Sequence, residues 1–396
     1  MSRPAQSESH RPSPLPSWLA GTLGPLAAQV YGSVLASRNA KFDAGKGVVT
    51  FDRPVISIGN LTVGGTGKTP MVSWVVAKLR SAGHDPCIAM RGYRAVNGVS
   101  DEAAEYAARF SDLPIVAQPN RIDGLIKLFG SERGQRVDTI VLDDGFQHRQ
   151  IARQANLVLL DARWNLDAAR LLPHGWYREG AQSLRRADAV VLMHADRISS
   201  SELAAQQARV RRWTAAPLAS ARHAWRCVDL FGPGDKVLQS TEATWVRGKR
   251  LAVIAAIARP EQFIAQVEAM SGQKVVEQVL LGDHAQIPLA EVARLASRGV
   301  DGVVMTGKDW AKVGVGSGFA ASKSYNSSLA DSGGPSQGEA IPVAAPGSLA
   351  GLSVPIVVPR VEVQFLDAES AVWGAVEGAV AQSGDLKGPE VVEASA

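Results

Sequence analysis

The run from Thr62 to Thr69, TVGGTGKT, gathers residue types suited to a phosphate chain. Glycine N–H groups approach an anion closely, a lysine neutralises it, and a threonine hydroxyl suits magnesium. The run nearly fits GxxxxGK[ST], with Thr62 where the first glycine is expected. Gly64, Gly65, Thr66, Gly67, Lys68 and Thr69 are therefore the candidate nucleotide-binding residues, with Thr69 also a candidate metal ligand. Farther along, Asp143 and Asp144 end an apolar run, Thr139 to Leu142, as the carboxylates of a Walker B site do. Alone, Asp143-Asp144-Gly145 also reads as a solvated turn; the phosphate loop upstream favours the metal reading.

These residues need a scaffold, and the sequence outlines one. Val55 to Ile58 is a short β-branched run before the glycine-rich turn. After it, Pro70 suits the first turn of a helix, and Met71, Val72, Val75, Val76 and Leu79 follow at helical spacing. Cys87 to Met90, Thr139 to Leu142, Leu157 to Leu160 and Ala189 to Met193 repeat the short apolar strand. Such strands alternating with helices predict a mainly parallel sheet covered on both faces. A second set begins near Leu251 with LAVIAAIA, and Val303 to Thr306 supplies another strand. The expected fold is α/β: a P-loop NTPase with a mainly parallel sheet, a second, smaller α/β domain, and an N-terminal membrane-associated helix.

The expected division is a disordered N-terminus over 1–17, the membrane-associated helix over 18–39, the P-loop kinase domain over 40–225 and the smaller domain over 226–312. Residues 313–353 are Gly, Ser, Ala and Pro rich with little periodicity and are expected to be a disordered insertion. A return strand and helix over 354–380 and a loose tail over 381–396 complete the chain.

Of 396 residues 46% are hydrophobic and 20% charged, an ordinary globular balance that excludes disorder as the main state. Cys87 and Cys227, with no CxxC or Cys/His cluster, suggest neither a disulfide framework nor zinc. The net charge of +4 comes from scattered arginines and is compatible with any anionic partner. Met1 to Pro16 is polar and lacks the layout of a secretory signal, so export is not expected. Trp18 to Ala36 is about as long as a membrane span, but Pro25 and small residues interrupt it, which favours a helix lying in the interface.

ISIGNLTVGGTGKTP from Ile56 to Pro70, with LDDGFQHR from Leu142 to Arg149, resembles the tetraacyldisaccharide 4′-kinase family, the lipid A kinases of Gram-negative bacteria. Arg91-Gly92-Tyr93, Ser100-Asp101-Glu102, LLPHGWYRE from Leu171 to Glu179 and Arg186-Ala187-Asp188 are similar to further motifs of that family. So are Ile257-Ala258-Arg259-Pro260 with Phe263, Asp283-His284, and Thr306-Gly307-Lys308-Asp309. Ser100, Ala103, Gly180 and Gly307 depart from the family pattern and mark a divergent member.

The resemblance implies ATP and Mg2+ as cofactors and phosphoryl transfer to the 4′-hydroxyl of a tetraacyldisaccharide 1-phosphate. It implies Asp101 as base, tuned by His284 from the second domain, with Lys68 supporting transfer. It assigns Arg178 to the nucleotide and Glu179 to the metal beside Thr69, Asp143 and Asp144. Asn60, Arg121, His148 and Arg149 are the substrate-side candidates, although His148 and Arg149 also read as packed supports. The implied partners are the acylated disaccharide phosphate lipid and the membrane surface at the cytoplasmic face of the bacterial inner membrane, with no nucleic acid and no obligate protein partner. Two other readings compete. One is a membrane-associated regulatory P-loop ATPase, disfavoured because Val63 stands where deviant phosphate loops carry an extra lysine. The other is a soluble P-loop kinase or ligase for a small metabolite.

Overall fold

The computed structural model describes residues 23–92, 101–110, 112–232, 237–257, 260–283, 285–316 and 352–382. Their contacts divide the chain into two compact units, one of residues 1–91, 114–223 and 363–396, the other of 92–113 and 224–362.

In chain order the elements are α1 (Gly24–Asp43), β1 (Val55–Asn60), α2 (Lys68–Ser81), β2 (Pro86–Met90), α3 (Asp101–Arg109), β3 (Ile115–Ala117), α4 (Arg121–Phe129), α5 (Glu132–Gln135), β4 (Thr139–Asp143), β5 (Ala155–Asp161), β6 (Ala189–Met193), α6 (Ser200–Arg211) and β7 (Leu218–Phe231). Then come β8 (Val237–Glu242), β9 (Leu251–Ala255), α7 (Pro260–Ser271), β10 (Glu277–Leu280), α8 (Leu289–Ala296), β11 (Gly302–Val304), α9 (Gly307–Gly316), β12 (Ile356–Phe365) and α10 (Glu369–Ala381).

In the first unit the strands run β3-β2-β4-β1-β5-β6, all parallel, and the start of β7 adds to β6. Every residue of β1 and β4 is buried, as expected of parallel strands covered on both faces. Cys87, Ala89, Ile140 and Leu142 face one core with Leu125, and Val158, Leu160, Val190 and Leu192 another with Leu184. Met71, Val72, Val75, Val76 and Leu79 bury the inner stripe of α2; each fully buried aliphatic side chain contributes about 1.5–3 kcal/mol. Parallel pairing brings the carboxyl ends of β1, β4, β5 and β6 to one edge. Residue 143 stands level with Ile58, and Met193 level with Asp161.

The second unit orders its strands β10-β9-β11-β12, all parallel, with β7 next to β12 and β8 antiparallel to β7. Alternation along β9 sends Ala252 and Ile254 to a core shared with Val292 and Leu295, and Leu251 and Val253 to one shared with Phe263 and Val267.

Two expectations need correction. The segment expected to be disordered from 313 onward begins as helix: α9 runs to Gly316, because Val313 is buried in the core with Val292 and Ile356. The rest of that segment, 317–351, lies outside the described residues. Residues 92–113 also group with 224–362, so the Asp101 and His284 motifs belong to the same unit and not to one unit each.

Candidate active site

The phosphate loop joins β1 to α2 and is braced from within. Asn60 is fully buried, and its Nδ2 donates to Thr66 Oγ1 at 2.7 Å and to the Gly64 carbonyl at 3.4 Å. Asn60, expected on the substrate side, ties the two limbs of the loop together. Gly67, the cap of α2, has φ +85°, where a side chain would be strained.

A second segment stitches itself to this loop. Val63 N–H donates to the Trp176 carbonyl at 2.8 Å and Arg178 N–H to the Leu61 carbonyl at 2.7 Å, around a bridge between Thr62 and Tyr177. That pairing carries Arg178 to Asp144: Nη1 lies 2.9 and 2.8 Å from the two carboxylate oxygens. Lys68 Nζ stands 3.4 Å from the same carboxylate, and Arg121 donates to the Asp144 carbonyl at 3.4 Å. Burial works to raise the Asp144 pKa, but Lys68 and Arg178 outweigh it and hold the carboxyl below its ordinary range. The structure thus joins four sequence candidates, Lys68, Asp144, Arg178 and Arg121, in one charged cluster.

Glu179 is 2% exposed. Its Oε2 accepts from Arg186 at 2.6 Å and Asn39 at 3.3 Å, while Oε1 is buried with no hydrogen-bond partner. Asp143 is buried at the end of β4, and Thr69 is the second residue of α2. Among the described residues no three His, Cys, Asp or Glu side chains gather as a metal cage. Magnesium does not need one, since it is commonly held by one or two carboxylates with waters and substrate phosphates. Thr69, the acidic strand end and the orphaned Glu179 oxygen fit that role.

The loop after the acidic pair is shaped by Arg153, which sequence reasoning missed. Its guanidinium donates to the carbonyls of Gly145 at 2.8 Å and Ile151 at 2.7 Å, and to that of His148. Burial lowers its pKa to about 10, helped by Arg186 and Arg149, and it remains a cation. Nothing local in the sequence distinguishes Arg153 from its neighbours; the signal lies in carbonyls that only the folded loop turns inward. His148 is pushed down to about 4 by burial and by Arg121 and Arg153, so its imidazole is neutral at physiological pH. It lines a cavity of about 450 Å³ with Asn120, Asp123 and Gln150. Arg149, grouped with it in the sequence reading, turns to α1 and binds the Asn39 carbonyl at 3.1 Å and Asp43 at 2.5 Å.

Helix α1 is latched to this site by individual side chains. Tyr31 Oη donates to the Arg178 carbonyl at 3.0 Å and Arg38 to the Gln147 carbonyl at 2.9 Å. Leu23, Leu26, Val30 and Val34 are each more than half exposed. At 3.6 residues per turn these four fall within an arc of roughly 80°. No helix among the described residues is long and apolar enough to cross a membrane.

In the second unit Asp101 is the first residue of α3, whose side chain is not described, and His284 lies outside the described residues. The TGKD motif proves to be a helix cap. Thr306 Oγ1 accepts from Asp309 N–H at 3.1 Å and donates to Asp309 Oδ2 at 2.8 Å. The same carboxylate accepts from Ala256 N–H at 3.2 Å, fastening α9 to the end of β9.

A family model described as tetraacyldisaccharide-1-P 4′-kinase (LpxK) matches residues 19–329. The chain belongs to this kinase family. It is 36% identical over 319 residues to the tetraacyldisaccharide 4′-kinase of Anaeromyxobacter dehalogenans, covering 76% of this chain and 82% of that one. To the same enzyme of Chlorobium luteolum it is 35% identical over 296 residues, or 68% and 81% of the two chains. Among solved structures it resembles LpxK from Aquifex aeolicus, crystallised in complex with ATP, with a TM-score of 0.61 at 22% identity, covering 89% of this chain and 97% of that one.

Proposed function

We propose that this kinase transfers the γ-phosphoryl group of ATP to the 4′-hydroxyl of a tetraacyldisaccharide 1-phosphate, a step of lipid A biosynthesis, at the cytoplasmic face of the inner membrane. The observation that carries the reading is the cluster at the head of α2, where Lys68 and Arg178 meet over Asp144 beside the phosphate loop. Phosphoryl transfer asks little covalent chemistry of a protein; it asks for positioning and for charge matched to the transferring group. Lys68 and Arg178 supply two cations, held by α2 and by the segment stitched to the loop. Magnesium, held by Thr69, Asp143, Asp144 and Glu179, would supply charge neutralisation on the phosphate oxygens. Asp101 accepts the proton of the attacking hydroxyl and His284 tunes it. The cavity beside His148, with Arg121 near its wall, takes the polar end of the acceptor. The ridge of Leu23, Leu26, Val30 and Val34 rests on the membrane that holds the acyl chains, as a peripheral contact.

The test is to incubate purified protein with ATP, magnesium and a tetraacyldisaccharide 1-phosphate and to seek a new 4′-phosphate by mass spectrometry. ATP consumption that is equally fast without the acylated sugar would overturn the lipid-kinase reading in favour of a regulatory ATPase.

A further inference from the structure

On the flank of β1 away from β4, the carboxyl edge of the sheet carries a group of ionisable residues that the transfer chemistry above leaves unused. Asp161 ends β5, His194 directly follows β6, and His223 lies in β7 just beyond the residues that pair with β6. Asp161 is clamped by Arg163 at 2.6 Å and lies 3.3 Å from Nδ1 of His194. The His194 ring meets that of His223 edge to face, with centroids 5.0 Å apart and planes at 87°. These contacts brace the His223 ring from behind.

In front of His223 is the phosphate loop. A Cβ built on Gly67 would fall 2.2 Å from His223 Nε2 and 2.6 Å from its Cε1, so the imidazole edge presses on the bare Cα of the residue that opens α2. Nε2 is buried and has no hydrogen-bond partner. Burial, with His194 and Arg197 adding to it and Asp161 opposing, drives the His223 pKa down to about 3. The ring is therefore neutral and offers one N–H. A buried polar atom without a partner is unfavourable, and this one sits against the loop whose N–H groups receive the α- and β-phosphates of a nucleotide.

We propose that His223 is a nucleotide-binding residue whose Nε2–H donates to a non-bridging oxygen of the α- or β-phosphate seated at Gly67, approaching from the side opposite the acidic strand end. The inference rests on the phosphate-loop reading and adds to it a contact that no glycine or lysine of the loop makes. Gly67 serves two purposes in this arrangement, its left-handed backbone and the space a side chain would take from the imidazole.

Affinities for ATP, ADP and adenosine, measured by calorimetry on the full-length protein, test it with Lys68→Ala as the reference for the loop itself. His223→Leu should weaken ATP and ADP alike by on the order of tenfold, the usual scale for a lost hydrogen bond to a charged group. His223→Gln, whose amide reaches about as far as Nε2, should recover most of the loss, and His223→Asn, which is shorter, should not. Adenosine binding should be indifferent to all three. If His223→Leu is poorly folded by its melting curve, the Gln and Asn pair decides. Failure of ATP to bind the wild type, or its indifference to Lys68→Ala, defeats the phosphate-loop reading. Intact loop binding with unchanged ATP and ADP affinity in His223→Leu or in His223→Asn, a loss confined to ATP, or an equal loss for adenosine defeats the histidine contact alone.

Discussion

The head of α2 and the head of α9 begin alike, each with a Gly-Lys pair followed by Thr or Asp in a family motif, yet they use polar residues in opposite ways. At α9, Thr306 and Asp309 bond one another and the Ala256 N–H, so these groups of the motif hold the helix in place. At α2, Lys68 and Arg178 converge on one carboxylate, and Oε1 of neighbouring Glu179 keeps no partner. Such mutual bonds stabilise a fold. Concentrated charge and an orphaned oxygen at a strand edge are what a phosphate chain and its metal need. Motifs of similar rank in a sequence can therefore carry chemistry or carry a helix, and the balance of partners separates them.

The contrast breaks most visibly at Lys68. Lys68→Ala should lower kcat/KM on the order of a thousandfold, because it removes a cation matched to charge that grows in the transition state; turnover near wild type would remove α2 from the chemistry. Next, Asp101→Asn and His284→Ala should each slow transfer by about a hundredfold or more while ATP affinity stays within a few-fold. Their double mutant should be little worse than the worse single, as expected of groups that act as a unit. Losses that multiply would mean that the two act separately.

Membrane attachment should respond next. Replacing Leu26, Val30 and Val34 together by Asp should reduce binding to anionic vesicles by about tenfold or more in flotation assays, through the loss of apolar burial. The triple variant is a cleaner probe than removal of residues 18–36, which would also delete Tyr31 and its bond to Arg178. Vesicle binding that survives the three aspartates would separate α1 from the membrane.

At α9 the expected effect is one of stability. Thr306→Val should cost about 1–3 kcal/mol in denaturant unfolding by removing the hydroxyl that bonds a buried carboxylate and its own N–H, with turnover per folded molecule retained. Collapse of that turnover would place the TGKD motif in the chemistry and erase the contrast. The smallest effect concerns His148. Its folded pKa of about 4 lies below the ordinary 6.5, so the unfolded chain binds more protons between these values and stability should fall as the pH drops through that window. His148→Gln should flatten the fall by about 1 kcal/mol; an unchanged slope would show that other groups produce it.

The strands and the phosphate loop were legible because their signals are local: β-branched runs, glycines that need unusual backbone, and a proline at the start of α2. Ala189–Met193 appears with the limits its apolar run suggests. What could not be read is bonding between residues far apart in the chain. Tyr31 and Arg178 are 147 positions apart, and Asn39 and Glu179 are 140 apart; no short-range pattern announces either contact. The part Asn60 plays inside the loop was not legible for a different reason. Its partner, Thr66, lies within the same motif, and a motif records which residues occur together without saying which of them face the ligand. His223 sits in LASARHAW, a stretch in which the sequence reading found no signal, and its place against Gly67 follows from the order of the strands.

The carboxylate of Asp144 gives the site an anion of its own. Lys68 and Arg178 already share it, so arriving phosphates do not meet bare cations but take the place of one counter-ion with another. Association then resembles ion exchange, in which much of the electrostatic work of gathering the two cations is done before the nucleotide comes. The gain in affinity is correspondingly smaller than two unshielded cations would give.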